Sequence, residues 1–135
     1  MNITRNAIYD YVEKRVNTAE RPVYCASRYE PVPNSFPACF ITEATHRPDR
    51  ASITLDFADD QVIRDFEVQV SSNKVTTGLQ EAYEIMEDVE TAMKELYFIE
   101  TYCNQVTNID PSVVRLVARF TRVIGGADAM PNNTN

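Results

Sequence analysis

The chain has 135 residues, a formal net charge of −7, 44% hydrophobic residues and 24% charged residues. That is enough chain for one domain whose core needs neither disulfides nor metal, and no apolar run approaches the roughly 20 residues that cross a bilayer. The acidic balance argues against tight electrostatic binding to a phosphate backbone, which normally needs a basic stripe, and does not exclude DNA passing nearby.

Ile3 to about Thr18 places Ile8, Tyr11, Val12 and Val16 along one side, which predicts a helix with Asn2 as its N-cap and Pro22 beyond its end. The polar, patterned N-terminus does not read as a secretory signal. Pro22 to Tyr29 is a strand candidate. Glu30 to Ser35 is a loop, because Pro31 and Pro33 leave few donors for a ladder. Ala38 to Glu43 is apolar on both faces for most of its length, the signature of a central strand covered on both sides. Thr45 to Arg50, with the only histidine, His46, is expected to be a loop. Ser52 to Phe57 then alternates, with Ile53, Leu55 and Phe57 on one face. The polar turn Ala58-Asp59-Asp60-Gln61 joins it to the next strand as a hairpin with a loop longer than two residues.

In that next strand Phe66, Val68 and Val70 share one face, and Glu67 and Gln69 share the other. Ser71 to Lys74 forms a polar break, and Thr77 with Gln80 makes a capping box for a long helix. Ala82, Ile85, Met86, Val89, Ala92, Met93 and Leu96 form its apolar stripe. Glu81, Glu84, Glu87, Asp88, Glu90 and Glu95 lie on its polar side, expected to be solvated. Ile99 to Thr107 is a weaker strand, Asn108 to Ser112 a break, and Val113 to Ile124 the final strand. Leu116, Ala118 and Phe120 face one way there with Val114. Arg115, Val117, Arg119 and Thr121 face the other way with Val113. The predicted fold is α+β in the order α-β-β-β-β-α-β-β, a mixed, mostly antiparallel sheet with two helices packed on one face. Residues 1–124 form the domain and 125–135 a flexible C-terminal tail.

The chemistry-bearing residues are sparse. Glycine stands only at Gly78, Gly125 and Gly126, which provides no phosphate-cradling loop. One histidine builds no multi-histidine metal site. Cys25, Cys39 and Cys103 are widely spaced with no CxxC pair, as expected of free thiols in a reducing compartment. Asp56, Asp59 and Asp60 lack the glycine and terminal glutamate of a calcium loop. No catalytic residue, cofactor site or metal site is assigned, and the protein is not expected to be an enzyme. Arg115 and Arg119 admit two readings, ion pairs within their own sheet or contacts to acidic groups of a neighbouring subunit. The candidate interface comprises Arg115, Arg119, Glu67 and Gln69, together with Ala58, Asp59, Asp60 and Gln61 of the hairpin turn.

Three segments resemble the tail terminator, or tail completion, proteins of long-tailed bacteriophages. They are Ser35-Phe36-Pro37-Ala38-Cys39-Phe40-Ile41-Thr42-Glu43, Phe66-Glu67-Val68-Gln69-Val70-Ser71-Ser72-Asn73 before the long helix, and the run from Asn108-Ile109-Asp110 through Arg115 and Arg119 to Phe120. With the first helix the likeness spans about Ile3 to Ile124. Where family members often carry Gly-Phe after the long helix, this chain has Tyr97-Phe98. Where they often carry Tyr before the Ser-Asn pair, it has Ser71. The resemblance implies a structural virion protein at the head–tail junction, assembled in the bacterial host cytoplasm. It would form a ring, usually a hexamer, that caps the head-proximal end of the tail tube and stops its polymerisation. The implied partners are itself, the major tail tube protein and the head completion or stopper protein, with DNA crossing the lumen without specific binding and no membrane involved. Two other classes stay open: a head-side stopper or connector ring, and a small cytoplasmic ligand-binding domain or enzyme.

Overall fold

The computed structural model describes residues 3–48, 61–107, 110–125 and 128–131. The elements are α1 (Arg5–Val16), β1 (Tyr24–Ala26), β2 (Ala38–Pro48), β3 (Gln61–Ser72), α2 (Gly78–Glu95), β4 (Ile99–Val106) and β5 (Val114–Gly125). The strands form one sheet in the order β1-β2-β3-β5-β4. Only β1 and β2 run parallel; the other three pairings are antiparallel. The α+β class, the mostly antiparallel sheet and the two helices on one face are as the sequence predicts. The predicted strand Ser52 to Phe57 lies outside the described residues.

The core fills the space between the helices and one sheet face. Ile8, Val12 and Val16 of α1 join the α2 stripe of Ala82, Ile85, Met86, Val89, Ala92, Met93 and adjoining Leu96. They meet Cys39, Ile41, Phe66, Val68, Val70, Leu116, Ala118 and Phe120 from the strands, all essentially inaccessible. Each large side chain so buried stabilises by roughly 1.5 to 3 kcal/mol before entropy is subtracted. The period-two and helical patterns therefore converge on the same layer.

Local details depart from the predicted boundaries. The cap of α1 is Thr4, whose Oγ1 accepts from the Ala7 amide at 3.1 Å, in place of Asn2. Thr77 occupies the N-cap position of α2, yet its side chain makes no capping bond, so the Thr77–Gln80 box does not form. The N-terminal turn is tied down by Glu81, whose carboxylate accepts from Ser72 Oγ at 2.7 Å and pairs with Lys74 Nζ at 2.7 Å. Ser71 and Ser72 belong to β3, not to the break that follows it. Strand β1 shrinks to three residues, and the chain from Ser27 to Pro37 runs outside regular structure. His46 and its neighbours from Thr45 to Pro48 lie in β2, where the predicted loop is replaced by a ladder with β3 after an irregularity between Glu43 and Thr45. Gln61 likewise opens β3, opposite Gly125, and is not part of the turn.

Helix α2 ends in a Schellman arrangement: the Phe98 amide donates to Met93 O at 2.9 Å and the Tyr97 amide to Lys94 O at 3.0 Å. Tyr97 occupies the left-handed position, φ 62°, that usually takes glycine. Phe98 and Met93 both enter the core, supplying the apolar contact that accompanies this motif. Beyond β5, Asp128 Oδ2 accepts from the Gly125 amide at 2.8 Å, and Met130 packs against the core.

Candidate assembly surface

The sheet face turned away from the helices carries the predicted polar residues. Register places Glu67 opposite Arg119, Gln69 opposite Val117, and Ser71 opposite Arg115. Arg119 Nε donates to Glu67 Oε2 at 3.0 Å, with 40% of the arginine side chain exposed. This contact holds Arg119 protonated. Tyr102 of β4 is its partner on the other side.

Arg115 is bound differently. Its guanidinium donates to Gln69 Oε1 at 3.3 Å and to Thr107 O at 3.2 Å, and lies 5.3 Å from the centre of the Tyr29 ring. Tyr29 packs edge-on against Phe40 at 5.5 Å, and Tyr24 does so at 6.4 Å. Phe40 is thereby fully buried on the face opposite the main core. This explains why Ala38 to Ile41 is apolar on both sides. The segment from Ser27 to Pro37 covers one end of the outer face, and Arg115 is clamped beneath it.

The four predicted residues Glu67, Gln69, Arg115 and Arg119 are thus brought together on one face, with their first contacts inside the chain. Ala58, Asp59 and Asp60 lie outside the described residues, and Gln61 stands at the far end of β3 from Ser71 and Arg115. Further along the face the surface becomes apolar. Ile99 is 69% exposed, Val123 45% and Tyr102 40%. Parity could have located Val123; the bulge between Glu100 and Tyr102 concealed the facing of β4.

The acidic side of α2 is largely engaged by the first third of the chain. Arg15 pairs with Glu95, Arg21 pairs with Asp88, and Arg21 also reaches Glu84 at 3.6 Å. Tyr11 donates to Glu95 at 2.9 Å. For Glu81, burial pushes the carboxyl pKa up, but Lys74 and Ser72 outweigh it and the net shift is downward.

One further pairing has no signal in the sequence spacing. Glu90 of α2, Glu100 and Cys103 bring their donor atoms within 4.8 Å of one another. No cation among the described residues pairs with either carboxylate. Contact with Glu100, then burial, pushes Glu90 up to about 7. Among the cysteines, Cys39 is held well above the ordinary thiol range by its contact with Cys25 and by full burial, so it is a poor nucleophile.

This architecture has a counterpart among solved structures. It matches the cryo-EM structure of the sheath/tube terminator of an extracellular contractile injection system, PVC, in the extended state, with a TM-score of 0.52 and 9% sequence identity. The match covers 100% of this chain and 62% of that chain, so this chain spans less than two thirds of its structural neighbour. At that identity the likeness is one of fold. No protein-family model and no curated protein matches the sequence.

Proposed function

We propose that this protein is a phage tail terminator: a non-enzymatic ring, of six copies, that caps the head-proximal end of a tail tube, halts its polymerisation and presents a surface to the head connector. The observation that carries the reading is the tail-terminator-like fold over the whole chain, matched to a protein described as a sheath/tube terminator. It agrees with the three sequence segments that resemble phage tail terminators. The net charge of −7 suits a conduit through which DNA slides, because each basic contact to phosphate would retard it.

In this reading the exposed Arg119–Glu67 pair, with Gln69 beside it, faces a neighbour in the assembly, as does the segment Ala58, Asp59, Asp60 and Gln61, while Arg115 holds the segment that borders this surface. The protein then resides in the virion at the head–tail junction after assembly in the host cytoplasm. The test mixes the purified protein with cognate tail tubes and images them by negative stain. Rings seated at one end of each tube, with further growth blocked, are expected. Tubes that keep bare ends and continue to elongate at saturating protein would refute the proposal.

A further inference from the structure

We propose that neighbouring copies in the assembly are joined edge to edge, β4 of one copy pairing antiparallel with β1 of the next, so that the sheet continues from subunit to subunit. This rests on the ring reading above and specifies its subunit contact. Among the described residues the sheet ends in two edge strands, β1 and β4. Edge strands of soluble proteins are usually blunted by Lys, Pro or shortness. Strand β4, Ile99-Glu100-Thr101-Tyr102-Cys103-Asn104-Gln105-Val106, has eight residues, neither Lys nor Pro, and a single charge at Glu100. It also exposes Ile99 and Tyr102. In a chain of net charge −7, this is a stretch where a second copy approaches with little repulsion.

Strand directions select the partner. Taking β3 as up, the antiparallel pairings make β2 and β5 down and β4 up, and the parallel pairing makes β1 down. Two copies side by side in the same orientation therefore bring an upward β4 against a downward β1, an antiparallel pair. A contact between two different edges is heterologous and closes into a ring when the rotation per copy permits.

Side-chain facing narrows the register. Cys25 pairs with Cys39 on the helix side of the sheet, and Tyr24 packs on Phe40 on the other side. In β4 the helix side holds Glu100, Cys103 and Gln105, as shown by their partners Phe120, Ala118 and Leu116. Opposed residues share a face, so Cys25 must oppose one of those three. Cys103 is the central choice and lies beyond the bulge. It sets Cys25 against Cys103, Ala26 against Tyr102 and Tyr24 against Asn104, with no charged residue in the pairing.

Native thiols report the contact. Cys25 and Cys103 are both half-buried, whereas Cys39 is inaccessible. A short bis-maleimide, added to the full-length protein at concentrations where light scattering detects oligomers, is expected to give a ladder of cross-linked species. Cys25→Ser alone and Cys103→Ser alone should each lose the ladder, and mixing the two variants should restore a dimer. Circular dichroism of each variant controls for folding. A Cys103–Cys103 dimer persisting in Cys25→Ser would overturn the proposal in favour of a two-fold β4 contact. A ladder unaffected by either substitution, no cross-linking of the wild type, or no detectable oligomer at any concentration would overturn it as well. Tube-end capping is scored separately: cross-linking as predicted without capping removes the terminator reading and leaves the edge pairing standing, while capping without the cross-link does the reverse.

Discussion

Arg115 and Arg119 look equivalent in the sequence, four residues apart on one strand face, yet substituting each with Ala should have very different costs. Arg119 makes one ion pair, with Glu67 25% and Arg119 40% exposed. Exposed pairs contribute roughly 0.2 to 1 kcal/mol, so Arg119→Ala should lower stability by less than ~1 kcal/mol. Arg115 donates to Gln69 and to the Thr107 carbonyl and stacks on Tyr29. Hydrogen bonds from a charged donor contribute about 1.5 to 3 kcal/mol, and an exposed cation–π contact about 0.5 to 1 more. Because the terms overlap on one side chain, Arg115→Ala should cost about 2 to 3 kcal/mol in total, partly through loosening of the Tyr29–Phe40 packing. Arg115→Lys should recover little, since an ammonium lacks the planar fork that reaches both acceptors. Urea denaturation of the three variants and the wild type, with midpoints and slopes fitted together, reads these differences directly. Equal destabilisation by Arg115→Ala and Arg119→Ala, or a larger loss for Arg119→Ala, would refute the distinction between a clamped and an available arginine.

Glu81→Ala should destabilise by about 2 kcal/mol, because it removes the acceptor to which the buried Ser72 hydroxyl donates, whereas Lys74→Ala should cost less than ~1 kcal/mol at its exposed end of the same network; urea midpoints separate the two. The Glu90–Glu100 contact should make stability depend on pH. The folded-state pKa of Glu90, about 7, exceeds its ordinary value of 4.5, so its contribution is complete below 4.5 and is lost as pH rises through 7. Thermal melts between pH 5 and 8 should show that decline, and Glu100→Gln should flatten it. At Tyr97, Gly should be close to neutral, since relief of the left-handed backbone offsets the extra freedom of the unfolded chain and the lost contact of the ring with Arg122, while β-branched Val, which loses that contact and keeps the backbone cost, should be about 1 to 2 kcal/mol less stable than the Gly variant; chemical denaturation checks the order.

Sequence patterning was most informative where burial enforces it. Phe66, Val68 and Val70 alternate because one face of β3 meets α2, and the α2 stripe repeats at helical spacing because it meets that face. The same parity put Glu67, Gln69, Arg115 and Arg119 together correctly. It could not show that Tyr29, some 86 residues before Arg115, folds back over that arginine, since the contact depends on an irregular segment with no period of its own. Thr45 to Pro48 has the composition of a loop, yet backbone pairing to β3 holds it as strand, and backbone pairing leaves no signature in composition. Capping failed for a related reason. Thr77 has the right chemistry, but Glu81 is drawn to Ser72 and Lys74 of the preceding segment, which anchors α2 from outside the helix. The Glu90–Glu100 contact joins α2 to a strand whose bulge shifts its facing, so spacing alone did not place the two carboxylates together.

In the proposed function, copies of this chain close into a ring at the end of a tail tube. Electron microscopy of cognate tubes incubated with the protein, with class averages viewed down the tube axis, tests it most directly. A six-fold ring on one end only and an arrested tube length are expected. Bare tube ends, or decoration along the tube wall with growth unchecked, would contradict it.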